Sequence, residues 1–127
     1  MPMVILHPER LDGIHPDLMK VVMELAEGTE FAVLEGLRTI ERQRQMVARG
    51  SSRTMNSRHL TGHAVDLAPL DHGQVSFAWP LYYPFAELVK QAAAEVQVPI
   101  EWGGDWESFK DGPHWQLPWV AYPRVTR

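Results

Sequence analysis

The chain has no cysteine among its 127 residues. Disulfides and thiolate ligands are therefore excluded, and any metal ion must be held by histidine, aspartate or glutamate. Long apolar runs are missing as well. The N-terminal stretch "MPMVILHPERLDG" offers only Met3 to Leu6 as an apolar run and carries no basic leader. It reads as neither a signal peptide nor a membrane span, and no membrane insertion is expected. Action outside the cytoplasm would then need separate delivery. Excess positive charge is also absent, since the net charge is -4. That argues against a nucleic-acid partner, which usually meets a basic footprint. One basic cluster, Arg38 through Arg58, is diluted by Glu35 and Glu41 and reads as a solvated helix face. With no repeat, linker or low-complexity tract, residues 1–127 are expected to form a single domain.

What is present alternates between helical and extended patterns. "HPDLMKVVMELAEG" places Leu18, Val21, Val22 and Leu25 at helical spacing with Gly28 as a stop. Phe31–Leu37 reads as a strand, and Thr39 then caps a helix over "IERQRQMVAR" that Gly50 ends. "GSSRTMNSRH" is a loop. "HAVDLAPL" is a strand that Pro69 terminates. "DHGQVSFAWP" suggests a turn and a hairpin arm. "YYPFAELVKQAAAEV" forms a helix with Phe85, Leu88, Val89, Ala92 and Val96 on one side. "VPIEW" and "HWQL" give two further short strands. The mixture fits an α+β domain with a small, mostly antiparallel sheet and flanking helices. His7, His15 and His72 read as turn residues, and the scattered methionines as core filler.

Chemistry concentrates in "SRHLTGHAVDLAP". A strand from Ala64 to Ala68 sends Val65 and Leu67 to the core and Asp66 to the other face, where two alanines leave open space. His59 lies just upstream, where Gly62 permits a sharp turn. His63 falls on the Val65 face and takes a structural role. A third ligand comes from "KDGPHWQL", where His114 begins a strand and Gln116 shares its face. His59, Asp66 and His114 make a His2Asp set with a position left for water, as catalytic zinc requires. Zinc suits these donors, with cobalt or manganese as substitutes. Asp111, three residues before His114, is placed to act as general base and to protonate a leaving amine. Arg38 is a candidate for stabilising an oxyanion or gripping a substrate carbonyl, against a plain salt-bridge role. Trp102 and Trp106 are candidates for a substrate groove or for core packing around the glycine turn.

Ser57-x-His59-x-x-Gly62-x-Ala64-x-Asp66, followed by Asp111-x-x-His114, resembles the zinc peptidases that cut peptidoglycan stem peptides. By composition, the five fixed positions of the first motif arise by chance with a probability on the order of 10⁻⁴ or less. The resemblance runs from Gly36 to Leu117 and implies the hedgehog/DD-peptidase fold. "EWGGDW" and the aromatic residue after His114 resemble the phage L-alanyl-D-glutamate endolysins more than the D-alanyl-D-alanine carboxypeptidases, which commonly carry Glu where Asp111 stands. The resemblance implies one Zn2+ ion on His59, Asp66 and His114, with Asp111 as base. It also implies Arg38 and Ser57 near the substrate; Trp102 is expected as a further substrate contact on the groove reading above. The expected substrate is the stem peptide, cut at the L-Ala–D-Glu bond by a monomer. It would accumulate in the host cytoplasm before lysis and have no room for a separate wall-binding domain. A D,D- or L,D-carboxypeptidase and a non-catalytic zinc-stabilised wall-binding module are the alternatives.

Overall fold

The structure, a computed structural model, describes residues 5–52 and 54–123. Met1, Met3 and Arg53 lie outside them. The strand built from the motif, β3 (Ala64–Asp71), is the axis of the sheet. β2 (Phe31–Glu35) runs antiparallel on one side of it and β6 (His114–Gln116) antiparallel on the other. β1 (Ile5–Leu6) joins β2 in parallel, and β5 (Glu101–Trp102) closes the far edge against β6. The order is β1-β2-β3-β6-β5, with β4 (Gln74–Val75) folded back on the end of β3. A mostly antiparallel α+β sheet is what the sequence predicts.

One face of the sheet is covered by α1 (Pro16–Ala26) and α3 (Trp79–Glu95). Val65 and Leu67 from β3 meet Leu18, Val22 and Leu25 of α1 and Phe85 and Val89 of α3, all in one core. Burying each such side chain contributes roughly 1.5–3 kcal/mol. Trp115 is fully buried and stacks on Trp102 at 5.8 Å. Its Nε1 has no acceptor among the described residues. That costs about 1–3 kcal/mol, against which the stacked, buried ring works. α2 (Ile40–Ala48) begins as expected, with Thr39 accepting the Arg42 N–H. His15, expected in a turn, caps α1 by accepting the Asp17 N–H. His7 and His72 take left-handed turn conformations.

Several expectations need correcting. β3 continues through Pro69 to Asp71, because the missing N–H falls where it is not needed. Leu67 N–H bonds Pro113 O as β6 departs, and Pro69 instead accepts from Ser76 N–H. β2 ends at Glu35, not Leu37, with an irregularity between Val33 and Glu35. α3 starts three residues early, at Trp79. Its buried stripe is Tyr82, Phe85, Ala86, Val89, Ala92 and Ala93, which leaves Leu88 exposed. Ala64 and Ala68 are themselves fully buried, so the open space lies over Asp66 alone. Among the described residues Met23 and Met55 are exposed, Met46 lines a cavity and Met19 packs on the core, so methionine as filler holds there for Met19 alone. Arg38 and Arg58 are buried, unlike the exposed Arg42, Arg44 and Arg49. The basic cluster is thus only partly a solvated face.

Candidate metal centre

Two close backbone approaches shape the site. Arg58–Thr61 is a single 3-10 turn that carries His59, with Ser57 Oγ accepting the His59 N–H at its start. Gly62 ends the turn at φ +75°, where a Cβ would sit 2.5 Å from Gly13 O. Only glycine fits there. On the other side, Gly103 lies beneath the turn that precedes β6. Its Cβ would be 2.4 Å from Asp111 O, and Asp111 N–H bonds Gly103 O at 3.1 Å.

These turns bring the three expected ligands together. Asp66 and His114 are register partners across β3 and β6. Asp66 Oδ1 lies 3.1 Å from His59 Nε2 and 3.3 Å from His114 Nδ1. All three donor atoms fall within 4.8 Å of one another. Donors held at about 2.0–2.1 Å around a tetrahedral ion stand about 3.3 Å apart, so the spacing fits. The remote ring nitrogens fit as well. His59 Nδ1–H donates to Gly36 O at 2.8 Å, a group that can only accept. Gln116 Nε2 donates to Glu101 Oε2 at 3.0 Å, which turns its carbonyl oxygen toward His114 Nε2 at 2.8 Å. Trp106 Nε1–H holds the other Glu101 oxygen at 3.3 Å. With each far nitrogen tied to an acceptor, loss of the proton that faces Asp66 would leave both rings a lone pair there, the arrangement a divalent cation needs.

Burial alone would push the Asp66 carboxyl up. The charges of His59 and His114 and their hydrogen bonds outweigh it and hold Asp66 well below the usual carboxylate range. Asp111 goes the other way: burial, then the Asp66 charge, raise it, only partly countered by His114, His59 and Arg38. Two neighbouring carboxyls driven apart in this way suit different tasks, one as permanent anion and one as proton carrier.

The cluster opens on a cavity of about 600 Å³ whose wall includes His59, Asp66, His114, Asp111, Arg38 and Ser57. His59, Asp66, His114, Asp111, Arg38, Ser57 and Trp106, all candidates from the sequence, thus share one cavity. Arg38 is buried and donates to Glu35, to Gln43 Oε1 at 2.7 Å and to Ser57 Oγ at 3.4 Å. It is a paired cation at the cavity wall. Trp102 is the exception. It lies in the core, its indole N–H on Gly112 O at 2.7 Å, and does not line this cavity. Trp106, Phe109 and Trp119 line it instead. His63 is half-buried beside His15 and bonded to Thr61 Oγ1, in keeping with a structural role. Burial lowers its pKa. Glu101, Gln116 and Gln43 were missed as site supports. Only Gln116 left a trace in the sequence, sharing the His114 face.

Two histidines and a carboxylate open to a cavity, with a carboxyl of raised pKa at the rim, make the class of site that could hold a metal ion for hydrolysis. Known proteins narrow the class. The family model for phage L-alanyl-D-glutamate peptidases matches residues 6–116, and the chain belongs to that family. The L-alanyl-D-glutamate peptidase of Listeria phage A118 is 36% identical over 102 residues, 80% of this chain and 35% of the relative. That of Escherichia phage T5 is 28% identical over 109 residues, 81% of this chain and 80% of the relative. The crystal structure of the Serratia marcescens L-Ala D-Glu endopeptidase ChiX is similar at a TM-score of 0.88 and 45% identity, covering 95% of both chains. The chain thus spans about a third of the A118 relative and most of the other two.

Proposed function

We propose that the chain hydrolyses the L-Ala–D-Glu bond of peptidoglycan stem peptides with one Zn2+ ion on His59, Asp66 and His114. The observation that carries this reading is the joint presence of the donor triad and Asp111 in one cavity. When bound, the ion would supply Lewis acidity, polarising the scissile carbonyl and making a water more acidic. Asp111 takes the proton of the attacking water at a carboxylate oxygen and returns it to the leaving D-Glu nitrogen. Its raised pKa eases that return. Arg38, fixed by Glu35 and Gln43, sets positive charge beside the oxygen that gains negative charge. Ser57 caps the His59 turn and bonds Arg38, so it holds both groups in register. Trp106 takes over the aromatic wall first assigned to Trp102.

On this reading the substrate partner is the cell wall, and the chain acts there as a monomer after accumulating in the host cytoplasm. None of the described helices is long and apolar enough to cross a membrane. The test is digestion of defined muropeptides with identification of the new ends. New L-Ala carboxyl and D-Glu amino ends are expected. Release of a terminal D-alanine would make it a carboxypeptidase, and no turnover at saturating zinc a binding module.

A further inference from the structure

Beside the catalytic cavity lies a second one of about 430 Å³. The two share Asn56, Ser57, Arg58 and Trp119, so only this partition separates them. The partition is held by several contacts. The buried Arg58 guanidinium lies 3.9 Å from the Trp119 ring centroid and donates to the carbonyls of Leu117 and Tyr122. Beyond it, Ile40, Met55 and Leu60 give an apolar wall and Thr61 and His63 a polar one, and among the described residues no carboxylate lines the space.

Substrate chemistry says what must sit there, granted the function proposed above. In peptidoglycan the L-Ala amino group is joined through a lactyl unit to an N-acetylated amino sugar. One residue and a lactyl unit span about 7 Å at roughly 3.5 Å per unit, so the sugar must rest directly beside the catalytic cavity. Two flanks are available, and they share no residue. The first is the cavity behind Trp119. The second is a smaller one of about 220 Å³ that meets the site at Asp111 and carries Lys110. Asp111 must reach the leaving nitrogen, which belongs to D-Glu. The D-Glu side, with its free carboxylate, therefore runs past Asp111 toward Lys110. The acyl side runs the other way, past Ser57.

We propose that the cavity bounded by Trp119, Arg58 and Ile40 receives the neutral N-acetylated amino sugar that carries the stem peptide. The Trp119 ring offers a flat apolar face for the sugar's C–H side, and Thr61 and His63 offer hydrogen-bonding groups to its hydroxyl and acetamido groups. The enzyme would then recognise glycan as well as peptide.

The test compares kcat/KM on a disaccharide-linked stem peptide and on the same peptide without sugar. The wild type should favour the sugar-linked substrate by about tenfold or more, chiefly through KM. Ile40→Glu and Trp119→Ala should each bring that ratio toward one. Ile40 is 57% exposed, so its variant folds even if removing Trp119 loosens the Arg58 partition. A wild-type ratio of one with the L-Ala–D-Glu bond still cut would overturn the sugar site and leave the proposed function standing. So would a tenfold ratio unchanged in both variants. Failure to cut either substrate would overturn both.

Discussion

His59 and His114 meet the same carboxylate oxygen but are held by opposite means. His59 sits on a short turn, points Nε2 at Asp66, and anchors its other nitrogen on a backbone carbonyl, Gly36 O. His114 sits on a strand, points Nδ1 at Asp66, and leans on a chain of side chains, Gln116, Glu101 and Trp106. A backbone anchor cannot be removed by substituting the residue that supplies it, whereas a side-chain anchor can. The difference teaches that one half of the centre is specified by the path of the main chain. The other half depends on the side chains of Gln116, Glu101 and Trp106.

The largest effects fall on both halves alike. His59→Ala and His114→Ala should each abolish ion retention and wall lysis, read by metal content and turbidity. Asp111→Ala separates holding the ion from using it. The ion should stay while kcat falls roughly 10²–10⁴-fold.

The next effects break the symmetry. Gln116→Leu should weaken zinc affinity about 10–100-fold in chelator competition. Glu101→Gln should do less, since an amide oxygen still accepts the Gln116 N–H. No side-chain substitution at Gly36 removes the carbonyl that serves His59. On the His59 half the weak point is conformational. Gly62→Ala forces a Cβ into the left-handed region and onto Gly13 O, which should cost about 1–2 kcal/mol from the backbone alone. A lowered Tm reads it.

The smallest effect belongs to the support under the His114 half. Tyr82 donates its hydroxyl to Ser76 O, and burial, then the charges of Asp111 and Asp66, push its pKa up to about 12. A phenol raised above its ordinary value of 10.0 contributes stability in full below that pH. The contribution is lost as pH climbs through about 12. Chemical denaturation between these limits should therefore fall less steeply in Tyr82→Phe than in the wild type.

The same asymmetry explains what the sequence made legible. The triad could be read because strand alternation places Asp66 opposite Val65 and Leu67, and because Gly62 and His59 lie within seven residues of it. Thr39 as a cap and the α1 stripe were likewise local. Pro69 was misread because its tolerance depends on β6 ending beside it. Leu88 was misread because α3 is packed against α1, and that neighbour selects the buried stripe. Trp102 and Trp106 are four residues apart around one glycine turn, and only the stacking partner Trp115 decides which is core. Gln43, the sole buried residue of α2, holds Arg38 from five positions away, and Glu101 reaches Gln116 from the neighbouring strand. Such contacts have no local signature.

Zinc stoichiometry and affinity, measured by equilibrium titration of the wild type, Asp66→Ala and Asp111→Ala, test the central claim most directly. One ion per chain in the wild type and in Asp111→Ala, with none retained by Asp66→Ala, is the expected result. Undiminished zinc binding without the Asp66 carboxylate would contradict it.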